Sequence, residues 1–114
     1  SVEEFFQKQC DCFARNELVE ISNQFSLPTA IYFGERIMVF KNVKAIQAVL
    51  SIKRTALLEA NYTRTAYRII AESISAKNHL SAWVEFRHFD KSDGLITTST
   101  SRYFCARLKE RKLR

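Results

Sequence analysis

Two long β-prone runs late in the chain constrain its fold more than any other feature. Residues 80–89 carry Leu80, Ala82, Val84 and Phe86 at a spacing of two, the polar stretch Asp90-Lys91-Ser92-Asp93-Gly94 follows, and residues 95–108 are again β-prone, with Ile96, three Thr, Tyr103 and Phe104. Alternation with a period of two, broken by a turn sequence ending in glycine, predicts an antiparallel hairpin of two long strands. Such a hairpin is marginal alone in water, so one of its faces must be covered by the rest of the chain.

The upstream sequence supplies that cover. Val2, Phe5, Phe6, Cys10 and Phe13 recur at spacings of three and four, the pattern of a helix with one apolar face. Asn16 is positioned to cap a second, short helix with Leu18, Ile21 and Phe25 turned inward, and Pro28 blocks its continuation. Residues 29–33 and 36–40 are β-rich runs separated by Gly34-Glu35, which suits a two-residue type II′ hairpin turn.

Asn42 is placed to cap a third and longest helix. Val43, Ile46, Val49, Leu50 and Leu57 form its apolar side, Lys44, Lys53 and Arg54 are assigned to water, and Asn61 closes it. Residues 62–76 then read as a long strand, with Tyr67, Ile69 and Ala71 on one face and Arg68, Ile70 and Glu72 on the other. Lys77-Asn78-His79 makes the turn into the long hairpin. The order helix, helix, hairpin, helix, then three or four antiparallel strands predicts an α+β fold with helices gathered on one face of a curved sheet.

Composition narrows the class. A chain of 114 residues fits one domain, residues 1–114, large enough to bury a core without disulfides or metal. Three cysteines, Cys10, Cys12 and Cys105, cannot all pair with one another, and Cys10 and Cys12 point to different sides of a helix, a poor metal pair. Buried thiols in a reducing, cytoplasmic setting are expected. No apolar run approaches the roughly 20 residues of a membrane helix. The net charge of +6 is spread over helix and strand, and only residues 109–114 are dense in Lys and Arg, so a solvated turn is expected there rather than a nucleic-acid patch. Phosphate loops, metal clusters and nucleophile elbows are missing from the sequence, and no cofactor or metal is expected.

The element order, the segment Pro28-Thr29-Ala30-Ile31-Tyr32-Phe33-Gly34, the helix start Val39-Phe40-Lys41-Asn42, and the strand from Gly94 to Tyr103 with a charged turn after it together resemble the nuclear transport factor 2-like superfamily. Ketosteroid isomerases and SnoaL-like polyketide cyclases belong to it. The resemblance implies a cone: three helices against the concave face of a strongly bent antiparallel sheet, around a central pocket, with homodimers formed through the other face. Along the chain, the basic run 109–112 reads as one more turn, after which Leu113-Arg114 is expected to start a final strand that is cut short or absent in this sequence.

Pairing Phe89 with Leu95 puts Leu80, Ala82, Val84, Phe86 and His88 on one face with Ile96, Thr98, Thr100, Arg102 and Phe104. That more apolar face is assigned to the pocket; a register slip of one residue, which the polar turn does not exclude, would exchange the two faces. Trp83, Glu85 and Arg87 then share the opposite face with Thr97, Ser99, Ser101 and Tyr103, and Trp83, Glu85, Arg87 and Tyr103 are the expected dimer contact. His88 as acid or base and Arg102 as an oxygen-binding cation are the candidate catalytic pair, with Tyr32, Tyr67 and Phe13 around the ligand; the structural alternative is a His88 that reaches water at the strand end and an Arg102 paired with Glu59 or Glu72.

Ketosteroid isomerase chemistry needs a carboxylate base and a Tyr and protonated Asp at the substrate carbonyl. Asp11, Asp90 and Asp93 lie on a helix and in a turn, so that pattern is lacking, and of a cyclase's acid and histidine only the histidine is present. Two functions are consistent with the sequence. One is a pocket for a small apolar or aromatic ligand, with proton transfer as an added capability, requiring roughly 300 Å³ or more of cavity. The other is a non-catalytic homodimerising or protein-interaction module whose core is filled by Phe5, Phe6, Phe13 and Phe33.

Overall fold

A computed structural model of the chain describes residues 2–33, 35–74 and 80–105. The elements in order are α1 (Val2–Ala14), α2 (Leu18–Ser22), β1 (Thr29–Phe33), β2 (Arg36–Phe40), α3 (Val43–Leu58), β3 (Tyr62–Ile74), β4 (Leu80–Asp90) and β5 (Leu95–Cys105). The strands form a five-stranded antiparallel sheet in the order β2-β1-β5-β4-β3, and the three helices pack on it, the α+β architecture expected. Among the described residues no helix is long and apolar enough to cross a membrane. The expected turns at 34–35 and 77–79, the basic run at 109–112 and the final strand at 113–114 lie outside the described residues, wholly or in part.

Bulges curl this sheet. An extra residue on one strand bends it and increases its twist, and the ladder shows register shifts between Tyr62 and Arg64, between Ile69 and Ala71, and where His88 gives way to Phe89. The last shift redraws the faces of the long hairpin. Leu95 does pair with Phe89, but the next pair is His88 with Thr97, leaving Ile96 as the extra residue. Every later β5 side chain therefore changes face relative to the sequence expectation. Thr97, Ser99, Ser101 and Tyr103 join Leu80, Ala82, Val84, Phe86 and His88 on the concave face, and Thr98, Thr100 and Arg102 join Trp83, Glu85 and Arg87 on the convex one. The Phe33 and Phe104 side chains lie outside the described part of the structure. The bulge at Ile70 acts likewise on β3, setting Ala71 opposite Trp83 instead of beside Ile69.

A second correction concerns Asn16. Instead of opening α2 it closes α1: at φ 60° its N–H donates to the Phe13 carbonyl at 3.2 Å, and the Glu17 N–H donates to the Cys12 carbonyl at 2.8 Å. These paired bonds across a left-handed residue form the Schellman ending of a helix. The α2 helix ends at Ser22, well before Pro28, so Phe25 lies beyond it. Asn42 does cap α3, its Oδ1 accepting from the Ala45 N–H at 2.9 Å, and Asn61, at φ 63°, turns the chain out of the helix end.

The core lies between the helices and the concave face. Phe6 is wholly buried among Cys10, Ile31, Phe40, Ile46, Leu80, Ala82, Val84, Phe86 and Tyr103, and its ring meets those of Phe5, Tyr67, Phe86 and Tyr103. Burying one such side chain contributes about 2–3 kcal/mol. Phe13, Ile21, Leu57, Tyr62 and Cys12 form a second cluster, near the hairpin turn. Arg54, expected in water, joins the two longest helices instead: its Nε adds a second hydrogen bond to the Phe13 carbonyl at 2.8 Å, and its Nη2 donates to the Ala14 carbonyl at 3.0 Å.

Candidate functional site

Beneath this core the concave face carries a line of polar groups, buried at His88 and Tyr62 and half-buried at Lys53, Thr65 and Ser99. Lys53 falls on the stripe Ile46, Leu50, Lys53, Leu57, whose spacing points it at the sheet although its charge favours solvent. Its Nζ donates to Ser99 Oγ at 2.8 Å. Ser99 Oγ stands 3.5 Å from His88 Nε2, His88 Nδ1 stands 2.8 Å from Thr65 Oγ1, and Thr65 Oγ1 is 2.5 Å from the Tyr62 hydroxyl. With the Nε2 accepting, one proton arrangement serves the whole chain: Lys53 donates to Ser99, Ser99 to His88, and His88 Nδ1–H to Thr65.

Burial sets the charge states along this line. His88 is 2% exposed, with the Phe13 and Tyr62 rings 5.8 and 6.0 Å from its own. Desolvation, with the Lys53 charge added, pushes its pKa down to about 4, so the imidazole is neutral at physiological pH. Desolvation also brings Lys53 down to about 8. The Tyr62 hydroxyl is raised by burial, and the Cys10 thiol is pushed up to about 12 by burial and the nearby Asp11, so that thiol stays protonated and unreactive.

A partly open cavity of about 50 Å³ meets these groups, lined by Gln9, Cys10, Phe13, Ile21, Val49, Leu50, Lys53, Thr65, Phe86, His88, Ser101 and Tyr103. Its volume admits roughly three to five water-sized groups. It is well short of the roughly 300 Å³ expected of a drug-sized pocket, because the aromatic side chains around Phe6 occupy most of the concave space. Gln9 is one of its polar lining residues. The Gln9 Oε1 accepts from the Tyr103 hydroxyl at 3.0 Å, and its Nε2, buried, has no hydrogen-bond partner among the described residues.

Of the residues singled out from sequence, His88 and Phe13 line this cavity. Tyr67 lies nearby in the core, its ring 6.0 Å from Phe6. Tyr32 and Arg102 are paired with each other on the convex face, away from it. Tyr103, expected at a dimer contact, is buried inside, while Trp83 is 44% exposed and stands on the convex face with Glu85 and Arg87. There Glu85 sits between Arg87 at 2.9 Å and Arg68 at 3.4 Å, and the Arg87 hydrogen bond in particular holds its carboxyl below the usual range. Sequence reasoning missed Gln9, Lys53 and Ser99. The first two were marked by spacing, since Phe6, Gln9, Cys10 and Phe13 share one helical stripe as Ile46, Leu50, Lys53 and Leu57 share another.

Together the fold and site define a compact α+β pocket fold. Comparison of the sequence with protein families and with curated proteins finds no match. Among solved structures the chain is similar to Aln2 from a Streptomyces species, with a TM-score of 0.67 and 12% identity over 94% of this chain and 78% of that one. It is also similar to a protein from Catenulispora acidiphila, with a TM-score of 0.64 and 13% identity over 98% of this chain and 81% of that one. At these identities the likeness is one of fold.

Proposed function

We propose that the chain is a SnoaL-like member of the nuclear transport factor 2-like superfamily that binds a small carbonyl compound, or the carbonyl end of a larger apolar one, in the cavity beside His88. The observation that carries this is the buried amide nitrogen of Gln9, without a hydrogen-bond partner among the described residues, on a side chain that lines the same cavity as Lys53. Both are donors, and a carbonyl oxygen is the acceptor that suits them. Neutral His88 supplies a base for a proton beside that carbonyl, and the Lys53 ammonium takes the place of the acid that other pocket enzymes of this superfamily draw from a carboxyl. Phe13, Phe86 and Leu50 offer apolar surface to the ligand body.

Titration of the protein with 2-butanone, followed by amide resonances, tests this reading. Shifts centred on Gln9, Phe86, His88 and Ser101, weakened about tenfold by Gln9→Leu, are expected, since one hydrogen bond lost to a buried carbonyl is worth about 1–1.5 kcal/mol. Shifts absent, or centred on the convex face, would remove the ligand site.

A homodimer through the convex face is the second function we propose, favoured by a row that crosses the sheet. Ile37, Tyr32, Arg102 and Trp83 stand side by side on β2, β1, β5 and β4, with Ile37 52% and Trp83 44% exposed. An exposed Trp beside an Arg is a common anchor of protein contacts.

A further inference from the structure

Lys53 differs from Lys8, Lys41, Lys44 and Lys91, which are exposed, in being half-buried and facing a cavity. Among the described residues no ion pair neutralises it, and its hydrogen-bond partner is the neutral Ser99 hydroxyl. We infer that Lys53 is a nucleophilic amine that condenses with a small aldehyde or ketone seated in the cavity to form a Schiff base, an inference that rests on reading the cavity as a carbonyl site.

The geometry has three parts. The cavity of about 50 Å³ admits a carbonyl compound of a few heavy atoms, Lys53 lines it, and Gln9, whose Nε2 has no hydrogen-bond partner among the described residues, lines it as well and is a donor for the carbonyl oxygen. The chemistry balances without a co-reactant. The Nζ lone pair forms a bond to the carbonyl carbon while the C=O π electrons move to oxygen. The two amine protons pass to that oxygen, which leaves as water, and a C=N bond remains. Ser99, which accepts from Nζ and stands 3.5 Å from His88 Nε2, is placed to carry a proton away from nitrogen and return it toward oxygen.

Burial supports this by releasing the lone pair. With its pKa lowered to about 8, roughly a tenth of Lys53 is free amine at pH 7, against less than a thousandth for an exposed lysine. Lower basicity offsets part of that gain, and a labelling advantage of about tenfold over an exposed lysine is expected.

The test uses the unaltered protein, acetaldehyde and cyanoborohydride at pH 7, with peptide mass mapping of the N-ethyl lysines formed over time. Ethylation of Lys53 about tenfold faster than of Lys44, which lies on the same helix and is exposed, is the expected result. Competition by 2-butanone should slow Lys53 alone. If acetaldehyde shifts the cavity resonances but Lys53 is ethylated no faster than Lys44, the Schiff base is overturned and the reversible carbonyl site stands. If neither the shifts nor the preference is seen, both fall.

Discussion

Trp83 and Arg102 stand directly opposite one another on the convex face, the guanidinium 5.3 Å from the indole centroid and 5.7 Å from that of Tyr32. Arg102 Nε also donates to Ser81 Oγ at 3.0 Å. A cation held between two aromatic faces is worth about 0.5–1 kcal/mol at a partly exposed site. Arg102→Ala should therefore lower unfolding stability by about 1 kcal/mol in urea titration and leave 2-butanone binding unchanged, because the residue is on the wrong face to touch the cavity. A large loss of binding would mean that the two faces communicate.

The same row predicts an assembly. Trp83→Arg places a second cation beside Arg102 and removes the anchor, so a species that sediments as a dimer should become a monomer, with its circular dichroism unchanged. A dimer that survives the substitution would move the interface off this face.

Why the sequence put Arg102 in the pocket is a matter of one residue. Phe89 does pair with Leu95, and the β4 faces follow from Leu80, Ala82, Val84 and Phe86 recurring on one side of the strand. In β5 the run Thr97-Thr98-Ser99-Thr100-Ser101 has no such alternation, so neither face is marked as buried and nothing in it reveals that Ile96 is an inserted residue. The register was legible only up to the bulge. Helices were clearer, since three-and-four spacing identified α1 and α3, and the same spacing marked Gln9 and Lys53 as inward. Their polarity argued for solvent, and only their partners on β5, Tyr103 and Ser99, outweigh it.

His88 makes stability depend on pH in a defined direction. Its folded pKa, about 4, is below the ordinary 6.5, so the unfolded chain binds more protons between those values. Stability is fully present above about pH 6.5 and falls as pH drops through 6.5 toward 4. The loss is about 3 kcal/mol at pH 4 from this residue, given a displacement of about 2.5 units and roughly 1.4 kcal/mol per unit. The groups facing it are Lys53 from α3, Ser99 from β5, Thr65 and Tyr62 from β3 and the Phe13 ring from α1; of these only Lys53 is charged in that range, and it stays protonated throughout. Urea midpoints of the protein and of His88→Gln, compared between pH 4.5 and 7.5, should converge toward acid. An equal pH slope in both would assign the acid limb to other groups.

Arg54 is predicted to matter more than an ordinary helix cation. It donates to two carbonyls at the end of α1 from a different helix, so Arg54→Ala leaves the Phe13 and Ala14 carbonyls without that donor and unties α3 from α1. Hydrogen bonds from a charged donor contribute about 1.5–3 kcal/mol, and a loss within that range is expected by urea denaturation, with Arg54→Lys recovering part of it through one bond. A cost below about 0.5 kcal/mol would show that the Asn16 ending holds α1 unaided.

At the hairpin turn, Asp90 and Gly94 form a unit that a double-mutant cycle can resolve. One Asp90 carboxylate oxygen accepts the Ser92 and Gly94 N–H groups at 2.9 and 2.8 Å, and a Cβ placed on Gly94 would lie 2.9 Å from the other. The carboxylate is flexible enough to move aside, but moving breaks the bonds it makes. Gly94→Ala and Asp90→Ala are each expected to cost about 1–2 kcal/mol in urea titration, and the double variant should cost little more than either alone, since both remove the same pair of bonds. Full additivity would show that the added methyl group coexists with the intact carboxylate cap, and the cost of Gly94→Ala would then come from the backbone.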